Sequence, residues 1–289
     1  MTLPLFPDIE PDPEPTELPA DDIPRRAGSA DSGTPDDQSG GGGASPTPAL
    51  PKAHQRVIRE QRATEDSDVD LFGRWWEGVD LSPNKCRVRE ISYQTAEKVI
   101  LDYEWLARMP AITSHHFGIY FDGHLGGVAV YAPEYAENLG VWDTYGFTGK
   151  IILLARGACV HWAPPYAASK LTRWSMRLLP ARFEVVTATV DAIAGEVGTI
   201  YQACGFDYVG RMSRSSRTSF KVCGRDVSER RVRGKYGVGA PGLERVRSET
   251  KGRYFAFRGP YAPERRQAIA HLIKPYPKRR AGALRGSGP

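Results

Sequence analysis

The stretch of residues 149–210 constrains the fold of this chain more than any other part of it. It alternates strand-like and helix-like segments, at residues 150–160, 167–179, 183–190, 198–204 and 208–212. The first segment is almost wholly apolar, which is typical of a strand with both faces buried. Gly205, just after the fourth segment, is suited to end a helix because glycine adopts the left-handed conformation at low cost. This alternation predicts an α/β or α+β fold with adjacent strands.

Weaker signals on either side add further elements. Short strands are predicted at residues 88–91, 117–121, 126–131, 218–222 and 253–258, and helices at 52–66 and 93–106. Asp122 and Gly123 separate two of the strands and are the residues that a two-residue hairpin turn prefers. The strands at 208–212 and 218–222 are predicted to pair as a closing hairpin. The complete pattern predicts a mixed sheet of six or seven strands with helices on both faces.

Composition divides the chain into three segments. Residues 1–70 begin with an acidic stretch rich in Pro and Gly, which has too few large apolar residues to form a core, so we predict a disordered tail and a lead-in. Residues 71–224 hold the alternating pattern and are predicted to form the folded domain. Residues 225–289 are predicted to form a basic C-terminal extension that contacts nucleic acid.

The charge of the chain is distributed unevenly along it. Residues 1–50 carry ten Asp and Glu against two Arg, a net charge of −8, whereas residues 205–289 carry 21 Lys and Arg against six acidic residues, a net charge of +15. Basic side chains neutralise phosphates, and the aromatic residues interleaved with them can stack on bases, so the pattern favours nucleic-acid binding. A solubilising tail with an ordinary solvated basic face is the alternative.

Simple counts disfavour several classes of protein. No two cysteines form a CxxC pair, so the usual kind of zinc site is unsupported; the four are Cys86, Cys159, Cys204 and Cys223. No apolar run approaches the length of about 18 residues that a membrane-spanning helix needs. The acidic, Pro-rich N-terminus lacks the basic start and apolar core of a signal peptide. We therefore expect a cytoplasmic protein with reduced thiols.

The junction at residues 163–169 is a candidate anion-binding site. Two prolines precede the helix, where a missing N–H is harmless, and the residues that follow, Ala167, Ala168 and Ser169, have small side chains. Their backbone amides, together with the helix dipole, attract an anion such as a pyrophosphate. Lys170 flanks this turn and adds a positive charge. An ordinary helix with an exposed lysine is the alternative.

Polar residues around the apolar strands mark a second candidate site. Asp191 follows the strand at 183–190, at the edge where open α/β sheets bind ligands, and could act as a base, a metal ligand or a helix cap. Tyr201, on the next helix, is either a proton donor or a core residue. Arg156 interrupts an apolar strand and requires a partner, such as Asp191 or a ligand phosphate.

Metal ligands are less clearly indicated. Mononuclear iron favours His and carboxylate ligands, and the available residues are His115, His116, His161 and Asp191. Because His115 and His116 are adjacent in a strand, alternation directs them to opposite faces, and they cannot easily share one metal. No spacing in this set is diagnostic, and a surface histidine is the alternative for each.

Three phrases of sequence carry a more specific signal in combination. They are L-A-R-G-A-x-V, then A-P-P-Y-A-A-S, then D-A-x-x-G-E-V-G-T-I-Y-Q-A-C-G-F-x-Y-V-G. Together they resemble the central block of the Mom family of phage DNA-modification proteins. The resemblance extends over residues 85–223, and residues 253–257 and the K-P-Y-P-K tail are also similar.

The resemblance implies an N-acetyltransferase-like (GNAT) fold and a catalytic role for residues 71–224. It implies transfer of a carbamoylmethyl, or another acyl-derived, group to N6 of adenine in double-stranded phage DNA, which blocks host restriction. Acetyl-CoA and iron are the cofactors it implies. Arg156, Ser169, Asp191 and Tyr201 match family residues. In acetyltransferase folds, a tyrosine placed like Tyr201 lies beside the CoA sulfur.

The family's active site also includes a His-Tyr pair in its first helix. The comparable residues here are Asp102, Tyr103 and Glu104, so Tyr103 matches the tyrosine and no histidine precedes it. We consider Asp102 or Glu104 as the residue that replaces this histidine as a metal ligand, through a carboxylate oxygen. The Gly-rich R/Q-x-x-G-x-G/A loop of most acetyltransferases is also absent from the chain.

Three other functions remain compatible with the sequence. The first is an ordinary CoA-dependent N-acetyltransferase that acts on a protein or a small amine, which CoA binding without any change to DNA would favour. The second is an acyltransferase that acts on another, already modified base. The third is a DNA-binding protein on a transferase fold that has lost catalysis, which salt-dependent DNA binding without CoA affinity would favour.

Overall fold

The structure, a computed structural model, describes residues 54–69, 75–135, 140–191, 195–211, 217–222, 225–228, 243–248 and 251–278. All of these residues lie in one compact unit, Pro48–Pro289. The predicted tail therefore lies outside the described residues, except for its last part, which is helical. None of the described helices is both long enough and apolar enough to cross a membrane.

The predicted elements follow one another in the predicted order. The helices are α1 (His54–Val69), α2 (Tyr93–Tyr103), α3 (Ala167–Leu178), α4 (Thr199–Ala203) and α5 (Ala262–Ala268). The first five strands are β1 (Arg87–Glu90), β2 (His115–Phe121), β3 (His124–Pro133), β4 (Ile151–Cys159) and β5 (Val185–Val190). The later strands are β6 (Asp207–Arg211), β7 (Arg217–Val222), β8 (Arg225–Ser228), β9 (Arg245–Ser248) and β10 (Gly252–Phe257). The structure thus adds a helix and two strands that were not predicted, α5, β8 and β9.

Seven strands form a mixed sheet in the order β1-β2-β3-β4-β5-β10-β6, which confirms the predicted fold class. The pairs from β1 to β4 are antiparallel, β4 and β5 are parallel, and β10 is antiparallel to both of its neighbours. The predicted hairpin turn joins β2 to β3. Asp122 and Gly123 have φ angles of 48° and 82° there, as a turn with two left-handed residues requires.

Strand β10 comes from the segment that was predicted to be a basic extension. It lies between β5 and β6 and pairs with both, with a register shift against β6 between Arg253 and Tyr254, so the sheet draws a strand from beyond residue 224. The burial pattern explains this position: Arg253, Tyr254 and Phe255 are all at most 5% exposed. A segment this apolar needs cover on both faces, which the interior of the sheet provides.

The predicted hairpin between residues 208–212 and 218–222 is wrong. Both segments contain strands, but β6 pairs with β10 in the large sheet. Strand β7 pairs instead with β8 and β9, in a separate three-stranded sheet. The prediction failed because strand propensity does not specify a partner, and the sequence of β10 is more apolar than that of β7 although the two strands are equally long.

Helices α2 and α3 pack on the large sheet and cover its core. Ser92 caps the N-terminus of helix α2, because its side chain accepts a hydrogen bond from the Thr95 amide. The helix buries Ala96, Val99 and Ile100. Helix α3 buries Leu171, Thr172 and Ser175, and Ser175 shares a hydrogen bond of 2.8 Å with the hydroxyl of Tyr131 on β3. Both helices contact β2, β3 and β4, so together they cover this half of the sheet.

Candidate functional site

The two parallel strands at the centre of the sheet separate toward their C-terminal ends. Strand β4 pairs with β5 only from Ile151 and Val185 to Leu154 and Ala188. Beyond this point β4 stays paired with β3, and β5 stays paired with β10, to their ends. The strands therefore diverge and leave a gap between two backbone edges, at the place where open sheets bind ligands.

A bulge in β4 lies at the start of this gap. Val130 and Tyr131 of β3 face Arg156 and Leu154 of β4, so Ala155 is an extra residue without a counterpart. Bulges of this kind bend a strand and redirect the side chains that follow. Further along the diverging part of β4, the carbonyl of Gly157 accepts a hydrogen bond of 2.6 Å from the side-chain amide of Gln55 on α1.

Arg156 projects from the bulge toward the end of α2, where it meets a buried carboxylate. Its Nε atom is 3.9 Å from Oε2 of Glu104, which is 6% exposed. Burial raises the pKa of Glu104, and the positive charge of Arg156 opposes that effect. Burial also lowers the pKa of Arg156. The strand arginine was predicted to need a partner such as Asp191, and Glu104 is the carboxylate found beside it.

Two hydrogen bonds connect Asp191 and Glu196 at the end of β5. The Asp191 amide donates to Oε2 of Glu196 at 3.3 Å, and the Glu196 amide donates to the Asp191 carbonyl at the same distance. Asp191 is 3% exposed, whereas Glu196 is partly exposed. Burial raises the pKa of Glu196 to about 7, and the negative charges of Glu104 and Asp191 contribute to the increase.

Tyr201 lies on α4, next to this acidic pair. Its ring contacts Phe206 and Tyr254, with centroids 5.3 and 5.5 Å away. Burial raises the pKa of Tyr201 well above its usual range, and the negative charge of Glu196 adds to the effect. The phenol therefore stays protonated at neutral pH and is available as a hydrogen-bond donor. Gly198, with a φ angle of 70°, starts the helix that carries it.

Tyr103, at the end of α2, forms a pair with a histidine from a distant part of the chain. Its hydroxyl is 2.9 Å from Nδ1 of His161, 58 residues away, and the two rings are stacked at 22°. Trp76 meets the same imidazole edge-on at 4.9 Å. Arg59 of α1 donates to the carbonyls of His161 and Ala163, at 3.1 and 2.7 Å. The sequence lacks a histidine beside Tyr103, and the fold brings one to it.

The N-terminus of α3 leaves two amides available to a ligand. The amide of Ala167 donates to the Pro164 carbonyl at 2.9 Å, and that of Lys170 donates to the Tyr166 carbonyl at 3.0 Å. Between them, the amides of Ala168 and Ser169 have no backbone acceptor within the described ranges. Free amides at a helix N-terminus are suited to bind phosphate oxygens.

The polar side chains of this turn are engaged locally. The hydroxyl of Ser169 donates to the Tyr166 carbonyl at 2.9 Å. The ammonium of Lys170 donates to the Pro83 carbonyl. Binding of an anion here would therefore depend first on the backbone of residues 168–169, and only after rearrangement on the lysine.

The other histidines lie apart from this cleft. His115 is 3.9 Å from a carboxylate oxygen of Glu90, and His116 shares a hydrogen bond of 2.9 Å with Thr113. In the described part of the chain, no three His, Cys, Asp or Glu side chains are grouped so as to hold a metal ion. The described residues therefore do not fit an iron site, and no chemical step is assigned to iron.

Sequence reasoning missed Glu196, the carboxyl group of the site whose pKa is raised to about 7. The residue lies between two glycines in a loop, where an isolated carboxylate gives no periodic signal. Its position five residues after Asp191 was the available indication, because both flank the end of one strand. Glu104 was considered only as a metal ligand, and its contact with Arg156 depends on how α2 packs on β4.

Solved structures with a similar arrangement are acetyltransferases and a related synthase. A probable acetyltransferase from Staphylococcus epidermidis has 10% identity and a TM-score of 0.37, over 60% of this chain and 99% of that one. A Bacillus subtilis acetyltransferase in complex with CoA has 10% identity and a TM-score of 0.34, over 61% and 100%. An N-acyl amino acid synthase from uncultured soil microbes has 14% identity and a TM-score of 0.35, over 65% and 97%.

No curated protein matches the chain significantly. The structural scores are low, so the assignment depends on the match to a protein family and not on these structures. The sequence profile of the Mom protein family matches residues 85–278, which include the diverging strands, the start of α3, and strand β10. This match covers about two thirds of the chain and confirms the predicted resemblance: the chain belongs to the Mom protein family.

Proposed function

We propose that this protein transfers a group derived from an acyl-CoA to the exocyclic amine of adenine in DNA. The carbamoylmethyl group on N6 is the product that the family resemblance implies, and protection of phage DNA from host restriction is the corresponding role. The observation that carries the proposal is the gap between β4 and β5, with two free amides at the start of α3, which follows β4, and the acidic residues Asp191 and Glu196 at the end of β5.

The donor is assigned to the gap by the chemistry of its walls. A CoA-like molecule carries a pyrophosphate, which suits the amides of Ala168 and Ser169 at the N-terminus of α3. Its pantetheine arm carries amide groups, which suit the backbone edge that β4 presents after it leaves β5, where they would replace the side-chain amide of Gln55 at the Gly157 carbonyl. A donor in this orientation directs its thioester toward Asp191, Glu196 and Tyr201.

Three residues are assigned to the reaction itself. Tyr201 donates a hydrogen bond, and then a proton, to the departing thiolate, whose own pKa also rises in a buried site. The Asp191 backbone fixes the loop that carries Glu196, and the negative charge of its side chain raises the pKa of Glu196. Tyr103, held by His161, faces the same end of β4 and positions the acceptor. The acyl-CoA supplies the electrophilic carbon, and the protein residues bind, orient and move protons.

The acceptor must leave the duplex to enter such a cleft. The lone pair of adenine N6 is delocalised into the ring, so the amine needs assistance from a base when it forms a new bond. The two products under consideration differ in connectivity, because a carbamoylmethyl group is attached through a methylene carbon and an acyl group through a carbonyl carbon. Mass spectrometry of nucleosides distinguishes them by mass and fragmentation.

Contact with DNA is supported by the charge of residues 205–289, +15 in total. Many of these basic residues lie outside the described ranges. Within them, Lys274 and Lys278 are exposed near the end of the chain, beyond β10. A basic surface on the same polypeptide as the cleft would hold the phosphate backbone while one base enters the gap.

The first test is mass spectrometry of nucleosides from plasmid DNA of cells that express the protein. A deoxyadenosine that is heavier by a carbamoylmethyl or an acyl group is expected, and Asp191→Ala and Tyr201→Phe should abolish it without unfolding the protein. Tyr135→Phe is the matched control, because Tyr135 is 67% exposed. Full modification by both site variants would refute the assigned site. A shift on another base would indicate the alternative base-modifying activity, and unmodified DNA would favour the protein acetyltransferase or binding functions.

A further inference from the structure

We propose that Glu196 is the general base of the reaction: its carboxylate accepts the proton that the acceptor amine loses as the new nitrogen–carbon bond forms. This proposal rests on the proposed function, because it takes the acceptor to be an amine in the cleft between β4 and β5. Glu196 lies within the third phrase that resembles the family, but the resemblance matched no role to it.

The position of Glu196 favours it over Asp191 for this role. Both residues lie at the C-terminal end of β5, but Asp191 is 3% exposed, whereas Glu196 is partly exposed. The backbone of Asp191 donates to one oxygen of Glu196, Oε2, at 3.3 Å. The carboxylate is therefore held in place by one oxygen, and the other oxygen is oriented by the same contact. A base needs this combination of a fixed position and access to the substrate.

Within the described residues, charged groups on several elements lie close enough to Glu196 to influence its charge. Glu104 at the end of α2 and Asp191 at the end of β5 are negative, and both favour the protonated form of Glu196. Lys251, just before β10, is positive and opposes them. Arg156 of β4 and Tyr201 of α4 also interact with Glu196, as a cation and as a neutral phenol.

Burial and this excess of nearby negative charge bring the pKa of Glu196 to about 7. A carboxylate with an ordinary pKa is a weak base for an amine proton, and a group with a pKa near the working pH combines adequate basicity with a large deprotonated fraction. The proposed role therefore predicts a rate that increases with pH until it levels off above about 7. The sign follows because only the deprotonated form of Glu196 can accept a proton.

The balanced step for acyl transfer uses two residues of the chain. The lone pair of the amine nitrogen forms a bond to the thioester carbonyl carbon, and one N–H proton passes to Glu196. The carbon–sulfur bond breaks with its electron pair on sulfur, and Tyr201 protonates the thiolate. The products are an amide and free CoA thiol, after which Glu196 releases its proton to solvent and Tyr201 regains one.

The test is the pH dependence of CoA thiol release by the full chain, with acetyl-CoA and plasmid DNA. The native protein should lose about tenfold in rate per pH unit below about 7. Glu196→Gln should be slower by about 100-fold or more at pH 8, and its rate should no longer depend on pH in this range. Glu97→Gln, on the exterior of α2, is the matched control and should keep the native profile.

A second variant separates a base from a merely structural residue. Glu104→Gln removes a negative charge that raises the pKa of Glu196, so the acidic limb should move to lower pH, whatever the change in the plateau rate. A structural role for Glu196 gives no reason for such a shift. An acidic limb that persists in Glu196→Gln, or does not move in Glu104→Gln, would overturn the assignment.

Failure of the proposed function is distinguishable from failure of this assignment. If no CoA thiol is released with DNA, the proposed DNA modification is contradicted, but the assignment of Glu196 is not. The Glu196 assignment would then be decided by NMR titration of its side-chain carboxyl, identified by the signal missing in Glu196→Gln. A pKa near 7 that decreases in Glu104→Gln is expected, and a value near the ordinary 4.5 would overturn the assignment.

Discussion

Breaking the buried ion pair between Glu134 and Arg253 should cost a large share of the stability of this fold, because it leaves an uncompensated buried charge. Glu134, just after β3, is 1% exposed, and one of its oxygens is 3.2 Å from Nη1 of Arg253 on β10, whose side chain is 6% exposed. The hydroxyl of Thr187 on β5 donates to the same carboxylate. The pair thereby connects the strand that arrives last in the sequence to the centre of the sheet.

The expected cost of removing this charge follows from the distance. Two unit charges at 3.2 Å attract by about 5 kcal/mol at an effective dielectric constant of about 20. Glu134→Gln removes that attraction but keeps a neutral hydrogen-bond acceptor, which contributes about 1 kcal/mol. Trp142, whose ring lies 5.0 Å from the guanidinium carbon, continues to favour the cation. We expect a loss of about 3–4 kcal/mol, within the range typical of broken buried pairs.

Urea unfolding, followed by circular dichroism, measures this loss as a change in the free energy of unfolding. In thermal unfolding the same loss corresponds to a decrease of roughly 6–16 °C in the midpoint. Arg56→Gln is the matched control, because Arg56 and Glu60 are 3.1 Å apart but are 67% and 44% exposed, and it should cost less than about 1 kcal/mol. A loss below about 1 kcal/mol in Glu134→Gln as well would refute the reasoning.

Three further predictions concern the cleft. Ala168→Pro removes one of the two free amides and should weaken CoA binding by about tenfold or more in calorimetric titration. The control Ala168→Gly keeps the amide and should leave the affinity for CoA unchanged. Equal affinities of the two variants would exclude the amide site. Gly198→Ala places a Cβ 2.5 Å from the Tyr254 ring, at a φ of 70°. It should lower the midpoint of thermal unfolding more than Gly149→Ala, because Gly149 has a similar φ of 71° but open space around it. Equal midpoints for the two variants would contradict the close contact. Tyr103→Phe should cost about 1 kcal/mol of stability and most of the DNA-modification rate, and an unchanged rate would limit Tyr103 to packing.

Local features of this fold could be predicted from the sequence because neighbouring residues determine them. The turn at Asp122 and Gly123 requires left-handed backbone at both positions, and the sequence supplies residues that tolerate it. Helix α4 ends before Gly205, which has a φ of 80°, for a similar reason. Strand β4 was evident from its continuous apolar run.

Pairings between distant segments could not be predicted in the same way. Strand β6 could have paired with β7, which follows it closely, or with β10, and only burial in the complete sheet selects β10. The family resemblance indicated Tyr103, but the histidine beside it comes from the end of β4. The contact between Glu104 and Arg156 is a further case, because it forms only when α2 packs on the sheet.

The central claim is that an acyl-CoA bound between β4 and β5 supplies atoms to a base in DNA. Its most direct test is incubation of the purified full chain with plasmid DNA and acetyl-CoA labelled with carbon-13 in both acetyl carbons, followed by mass spectrometry of the nucleosides. The account predicts a modified deoxyadenosine that contains both labelled carbons, and no such nucleoside with Tyr201→Phe. A modified base without label, or label released only as free acetate, would contradict it.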